Sequence, residues 1–316
     1  MSPLQTAEQL ARRTRRACAA ALRAATALGL SATRARVLHD AFSVVVQLEP
    51  EPVVARIPVV LTGSSDSDAQ HSRQQRELDV AGWLADRGVP VVRPAAQVPR
   101  RPVRQDGFPI TFWELADLAE DHQPYRGADL AYSAELHARL ADYPGRLPFL
   151  APFNLGLPEL LDQLRPGGLL SAADLDRVWT EFHAMRAVLS TAEAFQAAFP
   201  SATVQPIQGD APSHNVIHAR NGILFSDFED VCMGPVEWDI ALLGRDATAQ
   251  YDAAAVRRGL RATDPDVQQL MDSARRLQFV GCLPLIDELP MLAPGLAQAV
   301  QEWRNSPGWS DQTGSW

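Results

Sequence analysis

The chain has 316 residues, and 46% of them are hydrophobic, so it can bury the core of one large domain or of two lobes. Its formal net charge of −9 argues against nucleic acid as the main partner, because binding to phosphates needs a basic surface. No apolar run approaches the roughly 20 residues that a membrane span needs, so we expect no membrane partner either.

The cysteines and the N-terminus indicate a reducing compartment. Cys18, Cys232 and Cys282 are widely spaced and form no CxxC pair, which is typical of neither a disulfide framework nor a zinc site. The arginine-rich N-terminus lacks the apolar segment and the cleavage site of a signal peptide. We therefore expect a cytoplasmic protein. The basic N-terminal helix could contact nucleic acid or membrane, but a solvated helix face explains it more simply.

The first part of the chain is predicted to combine a small sheet with helices. Residues 4–28 are rich in alanine and arginine and contain no glycine or proline, which favours a helix. A second helix should end near Asp86, because Gly88 is a helix stop signal. The predicted strands are residues 35–39, 42–48, 53–60, 91–98 and 108–113.

After Glu114 the pattern becomes mostly helical. A single β signal, at residues 204–229, interrupts it. A small mixed lobe followed by a helical lobe predicts an α+β, bilobal architecture. We place the N-terminal lobe at residues 1–113 and the C-terminal lobe at 114–316, with a hinge near 113–123. The predicted helical segments are residues 129–142, 158–164, 171–198 and much of 236–304.

A hairpin within the β signal brings polar side chains together. The pair Asn221-Gly222 is typical of a type I′ turn between two strands. A turn at these two residues would oppose Val216 with Asp227 and place Asn215 one step away. Opposed residues lie only about 5 Å apart. An amide oxygen and a carboxylate oxygen would thus converge where one cation could be held.

Asp210 adds a possible proton acceptor to this pair. It lies five residues before Asn215, in a loop that enters the hairpin. A loop acid, an Asn and an Asp form the set used in kinase-type phosphoryl transfer. Mg²⁺ prefers oxygen ligands and usually binds one or two carboxylates together with substrate phosphates. The attacking hydroxyl needs a positioned carboxylate to take its proton. Asp210 is therefore the predicted base, and Asn215 and Asp227 are the predicted Mg²⁺ ligands.

Three motifs at matching spacing resemble the aminoglycoside phosphotransferase family of kinase-like enzymes. They are Gln208-Gly209-Asp210 with Asn215, the segment Phe225-Ser226-Asp227-Phe228-Glu229-Asp230, and Glu237-Trp238-Asp239-Ile240-Ala241. The resemblance implies a protein-kinase-like fold that uses ATP and Mg²⁺. It also implies transfer of the γ-phosphate to a hydroxyl of a small molecule, such as an aminoglycoside-like antibiotic, a sugar or an amino alcohol. Asp239 would tie the catalytic loop down through hydrogen bonds.

The resemblance also assigns residues of the first lobe. Arg56 lies where the family places a basic residue that reaches the ATP phosphates, and Glu77 lies at the position of its ion-pair partner. Trp113, Glu114 and Leu115 would form the hinge segment whose backbone meets adenine. The acceptor could be cationic, and the protein is expected to be a monomer or a homodimer.

The sequence departs from the family pattern at three places. Gln208 stands where the family has histidine, and Arg56 stands where kinases have lysine. All 29 basic residues of this chain are arginine. The expected phosphate-covering loop at residues 39–43 contains no glycine, so its backbone approaches phosphates less freely. These departures leave open an alternative: a catalytically impaired, kinase-like protein that binds a nucleotide or a regulatory partner.

Overall fold

The computed structural model describes residues 5–60 and 67–309, and these form two compact units, each with its own hydrophobic core. The N-terminal unit comprises the described parts of residues 1–126, 215–229 and 287–290. The C-terminal unit comprises 127–214, 230–286 and the described part of 291–316. These units differ from the predicted lobes chiefly because residues 114–126 and the segment 215–229 pack with the N-terminal unit.

The regular elements follow one another as an N-terminal group of strands and two helices, then a mostly helical series. In chain order they are α1 (Ala7–Ala27), β1 (Arg34–Asp40), β2 (Ser43–Glu49), β3 (Val53–Pro58), α2 (Ser67–Ala85), β4 (Val103–Gln105), β5 (Phe108–Glu114), α3 (Leu130–Leu140), α4 (Leu157–Gln163), α5 (Ala172–Leu189), α6 (Ala192–Ala198), β6 (Gln205–Ile207), β7 (Val216–Ala219), β8 (Gly222–Phe225), β9 (Cys232–Gly234), α7 (Arg245–Arg257), α8 (Pro265–Gly281) and α9 (Ala293–Asn305). Short helical turns at 152–156, 236–238, 283–287 and 290–292 complete the set.

An antiparallel sheet with the strand order β1-β2-β3-β5-β4 forms the frame of the N-terminal unit. Helix α1 packs on this sheet through a face of small side chains, Ala17, Ala20, Ala21, Ala24 and Ala25. Alanine favours helix and lets the helix approach the strands closely. The helix begins at Ala7 because Thr6 caps it in a capping box with Gln9. The predicted start at residue 4 lies outside the described residues.

The predicted strand at residues 91–98 was wrong. The segment makes only isolated bridges, between Val91 and Phe225 and between Pro94 and Trp113. Pro90 and Pro94 have no backbone N–H, so the segment cannot supply a continuous ladder of hydrogen bonds. A short strand that the sequence pattern did not indicate, β4, takes the edge of the sheet beside β5 instead.

Helices surround one large core in the C-terminal unit, which includes the buried side chains of Phe153, Phe182 and Trp238. The segment predicted as helical over 171–198 divides into α5 and α6, because Thr191 caps a new helix. The β signal at 204–229 yields β6 and the β7–β8 hairpin. Strand β9, which was not predicted, pairs with β6.

The α+β class with a sheet-containing unit and a mostly helical unit is confirmed. Across residues 5–60 and 67–309, no helix combines the length and the apolar character needed to cross a bilayer.

Candidate active site

The β7–β8 hairpin is present, but its predicted register was wrong by two residues. Ala219 pairs with Gly222 and Val216 pairs with Phe225, so the turn is formed by Arg220 and Asn221. A shift of two residues leaves every side chain on the same face of the ribbon, so the hydrophobic pattern cannot distinguish the two registers. A contact outside the hairpin is compatible with the observed register: the N–H of Arg220 donates to the carbonyl of Asp117 at 3.0 Å.

Asn215 and Asp227 nevertheless lie at the same end of the hairpin. The carbonyl oxygen of Asn215 accepts hydrogen bonds from the N–H and from the hydroxyl of Ser226, at 2.9 and 3.1 Å. Asp227 follows directly, with a φ of 61° in the left-handed region, which Asp tolerates better than most residues. Its side chain is 41% exposed. The backbone therefore turns sharply where the predicted metal ligand stands.

Arg56 joins the hairpin end to helix α2. On strand β3, its Nη1 contacts both carboxylate oxygens of Glu77, at 2.9 and 3.0 Å. Its Nη2 contacts Asp227 Oδ1 at 2.9 Å and Glu229 Oε2 at 3.1 Å. The predicted ion pair between Arg56 and Glu77 is thus present, and one guanidinium gathers three carboxylates from two parts of the chain.

Three carboxyl groups surround the Arg56 guanidinium at the centre of the cluster. Burial would lower the pKa of Arg56, but Asp227, Glu229 and Glu77 together raise it well above its usual value. Burial, with repulsion from Asp227 and Glu229, raises the pKa of Glu77 to about 8 against the attraction of Arg56. Arg73, 3.5 Å from Glu229, supplies a second cation at the edge.

The segment predicted to cover the phosphates is a tight turn between β1 and β2. Its acid, Asp40, accepts hydrogen bonds from Arg13 Nη2 at 2.9 Å and from the hydroxyl of Thr14, both on α1. The carbonyl of Phe42 accepts the N–H of Val59 at 2.9 Å. The turn is therefore tied to its own unit, and its role toward phosphates stays a prediction.

The predicted hinge segment lies at the end of β5. The N–H of Glu114 donates to the carbonyl of Arg93 at 2.8 Å, and the N–H of Leu115 donates to that of Pro52 at 3.0 Å. The indole of Trp113 is buried. These two N–H groups are therefore engaged within the unit. The contact with adenine stays a prediction.

A buried carboxylate holds the loop that carries Asp210, in the C-terminal unit. Asp239 Oδ2 accepts the N–H of Gln208 at 2.8 Å, and its Oδ1 accepts the N–H of Gly209 at 2.9 Å. The predicted structural role of Asp239 is confirmed. His137 Nε2 lies 2.9 Å from the same carboxylate, and its Nδ1 lies 2.8 Å from the hydroxyl of Tyr251. Burial raises the pKa of Asp239, while these hydrogen bonds oppose the rise.

Gly209 is fixed from three sides. Its N–H donates to Asp239, and its carbonyl accepts a hydrogen bond from the indole N–H of Trp238 at 2.8 Å. Its φ is 89°, and a Cβ at this position would lie 1.9 Å from the carbonyl oxygen of Asp230. Only glycine fits such a backbone without movement. The residue before the predicted base thus has a backbone set by its neighbours.

Asp210 itself contacts a cation that the sequence patterns did not single out. Arg275 Nη2, on α8, lies 2.7 Å from Asp210 Oδ1. A signal for Arg275 was available, because it lies four residues after Met271 and eight after Val267 on the buried face of the helix. An arginine at an apolar position needs a partner.

The predicted site residues therefore fall into two groups. The N-terminal unit brings together Arg56, Glu77 and Asp227, with Asn215 at the same hairpin end, and Asp210 belongs to the C-terminal unit. In the part of the chain that the structure describes, no three His, Cys, Asp or Glu side chains are grouped to hold a metal ion by themselves.

Comparisons with known proteins found a matching sequence family and similar folds. The sequence model described as the phosphotransferase enzyme family matches residues 27–277, which is well over half of the chain. That span includes Arg56, Asp210, Asp227 and Asp239. A search of curated protein sequences found no match.

Solved structures of small-molecule kinases are similar in fold. A choline/ethanolamine kinase family protein from Mesorhizobium loti is 17% identical over 94% of this chain and 97% of its own, with a TM-score of 0.57. A microcompartment-associated aminopropanol kinase is 17% identical over 89% and 93%, with a TM-score of 0.61. An amicoumacin kinase solved with AMP-PNP and Ca²⁺ is 12% identical over 92% and 95%, with a TM-score of 0.60. At these identities the likeness shows a shared fold.

Replacing Gly209 by alanine should destabilise the protein strongly. The new Cβ would meet the carbonyl of Asp230, so the loop must shift, at a cost of at least about 3 kcal/mol. Gly259→Ala is the matched control, because Gly259 has a similar φ of 76° and no atom within 4 Å of its Cβ position. That control should cost about 1–2 kcal/mol. The free energy of unfolding is measured by urea denaturation. Equal losses for Gly209→Ala and Gly259→Ala would show that the loop around Gly209 shifts without cost and would contradict the prediction.

Glu77 should make the protein less stable as the pH rises. Its pKa is about 8 in the folded protein and ordinarily 4.5, so between these values the folded state keeps a proton that the unfolded chain has lost. The free energy of unfolding should fall across this window, by up to about 1.4 kcal/mol per pH unit. Glu77→Gln should flatten the dependence in denaturation series from pH 5 to 8. The exposed control Glu120→Gln should keep the wild-type slope; an unchanged slope in Glu77→Gln would refute the assignment.

Proposed function

Because the chain belongs to the phosphotransferase enzyme family, we propose that it is an ATP-dependent kinase acting on a hydroxyl of a small molecule. The observation that carries the proposal is the position of Arg56, which contacts both Glu77 and Asp227. A strand cation paired with a helix glutamate, beside an aspartate that follows a hairpin, is the arrangement used in kinase-type phosphoryl transfer.

Asp210 is the proposed base in this scheme. The acceptor oxygen attacks the γ-phosphorus, its proton passes to the carboxylate of Asp210, and the bond from the γ-phosphorus to the bridging oxygen breaks. The leaving electron pair stays on ADP. The hydrogen bonds that the N–H groups of Gln208 and Gly209 donate to the Asp239 carboxylate fix the backbone from which Asp210 projects. Positioning of this kind supplies much of the rate of such reactions.

Asn215 and Asp227 are the proposed ligands of Mg²⁺. Their place at one hairpin end and the excess of carboxylates around Arg56 fit a hard cation. A third protein ligand is not needed, because Mg²⁺ commonly completes its shell with water and phosphate oxygens. When bound, the ion would neutralise charge on the nucleotide phosphates.

Arg56 is the proposed contact to those phosphates. A guanidinium can bind phosphate oxygens in a bidentate way, so an arginine can serve where kinases use lysine. Glu77 holds it from the helix side, and Trp113, Glu114 and Leu115 would meet the base. ATP is the proposed donor, and a structure of similar fold was solved with the ATP analogue AMP-PNP and a divalent cation.

The acceptor is proposed to be a small polar molecule with a hydroxyl group. An amino alcohol is one candidate class, because two proteins of similar fold are named as a choline/ethanolamine kinase family member and an aminopropanol kinase. An aminoglycoside-like antibiotic is another, because phosphotransferases of similar fold were solved with kanamycin and with spectinomycin. A sugar is the third class. A cytoplasmic location and a monomeric or homodimeric state accompany this proposal as predictions.

A kinase-like protein that binds nucleotide without transferring phosphate is the second candidate. The residue at position 56 favours it, because this chain has arginine where kinases have lysine, and a guanidinium differs in geometry from an ammonium. The glycine-free turn between β1 and β2 also favours this candidate, because its backbone approaches phosphates less freely. A thermal-shift measurement with ATP and Mg²⁺, followed by a transfer assay, separates the two candidates.

Variants of the two key acids test the kinase proposal. With γ-labelled ATP, Mg²⁺ and a panel of amino alcohols, aminoglycosides and sugars, the wild type should phosphorylate at least one acceptor. Asp210→Asn should lower kcat by about 10²–10⁴-fold, because proton removal from the acceptor is lost. Asp227→Ala should abolish metal-dependent turnover.

Asp162→Asn is the control for this test. Asp162 is an exposed acid on α4, so its change should leave turnover unaltered. Full activity of Asp227→Ala would overturn the kinase proposal. A stabilising shift with ATP and no transfer to any acceptor would instead support the second candidate.

A further inference from the structure

Arg275 is a buried cation directed at the proposed base. It lies on the face of α8 that packs into the C-terminal core, and its side chain is only 9% exposed. Its Nη2 donates to Asp210 Oδ1 at 2.7 Å. The carboxylate of Asp210 is far more accessible, at 44% exposure. In this pair Arg275 is therefore the buried partner, and Asp210 is the partner that is accessible to solvent.

The guanidinium of Arg275 is held on its other sides as well. Its Nη1 donates to Gln278 Oε1 at 2.7 Å, one turn further along α8. Its central carbon lies 5.2 Å from the ring centre of Trp238 and 5.7 Å from that of Phe279. Such cation–π contacts favour a desolvated guanidinium. A side chain with this many constraints has few alternative rotamers.

The same tryptophan fixes the loop and the cation. The indole N–H of Trp238 bonds to the carbonyl of Gly209, while its ring faces Arg275. Trp238 thus contacts the backbone before Asp210 directly, and it contacts the Asp210 carboxylate indirectly, through Arg275. A reacting group held from both ends keeps its position within the tolerance that catalysis requires.

Electrostatics favour the same arrangement. A buried guanidinium without a partner carries a large desolvation cost, so Arg275 retains its carboxylate partner. Asp230 and Cys282 are further titratable groups in this neighbourhood, and Cys282 interacts electrostatically with Arg275, Asp210 and Asp230.

We propose that Arg275 is the positioning residue of the base: it orients the Asp210 carboxylate toward the acceptor hydroxyl and acts on the reaction only through it. This inference rests on the proposed role of Asp210. It assigns a function to a residue of α8, outside the loop and hairpin motifs.

A set of three single variants tests the assignment. Arg275→Gln should lower kcat for phosphoryl transfer by about 10–100-fold, since a misplaced catalytic group costs up to about 10² in rate. The KM for ATP should stay within about two-fold, because Arg275 is not assigned to the nucleotide. Arg275→Lys should restore most of kcat. Arg276→Gln, the neighbouring arginine on a less buried face of α8, should behave as wild type.

The double variant separates positioning from general stability. If Arg275 acts through Asp210, then Arg275→Gln should change kcat no further in an Asp210→Asn background. A wild-type kcat for Arg275→Gln, or a full additional loss in that background, would overturn the inference. Normal activity of Asp210→Asn would instead overturn the role of Asp210 itself.

The contact is also measurable without turnover. The wild type, Arg275→Gln, Asp210→Asn and the double variant form a double-mutant cycle in urea denaturation at pH 7. We expect the two single losses of stability to be non-additive in the double variant. Additive losses would show that Asp210 and Arg275 do not interact in solution and would overturn the inference even where no acceptor of the panel is phosphorylated.

Discussion

The carboxylate of Asp239 is the interaction on which the C-terminal part of the site depends. It is buried, and it satisfies two consecutive backbone N–H groups with its two oxygens, those of Gln208 and Gly209. A charge without water needs several donors, and His137 supplies a third. The chain can meet this demand only if the loop takes one conformation. The position of Asp210 follows from that requirement.

A comparable constraint shapes the N-terminal part, with arginine at its centre. The two terminal nitrogens of Arg56 divide their partners: one contacts Glu77, and the other contacts Asp227 and Glu229. The planar guanidinium offers donors in fixed directions, unlike the compact ammonium of lysine. In a chain whose basic residues are all arginine, the cluster therefore links helix and hairpin in a geometry that a lysine would not reproduce.

Much of the architecture could be predicted because local patterns agree with it. The alanine-rich first helix, the strands β1, β2, β3 and β5, and the hairpin near Asn221 all follow from propensity and turn chemistry. The errors have physical causes. The hairpin register differs by two residues, a shift that leaves its apolar pattern unchanged. Residues 91–98 include three valines, yet Pro94 among them and Pro90 just before them have no backbone N–H to donate.

The sequence by itself determined which chemical groups are present and at what spacing, since Asp210, Asn215 and Asp227 stand in one short segment where composition and turn signals are local. Only the tertiary structure decided what surrounds them. Arg56 and Asp227 are 171 positions apart, and Asp210 and Arg275 are 65 positions apart, yet each pair is in contact. Long-range pairing depends on how the helices and strands pack around buried charges, and no local pattern records that packing.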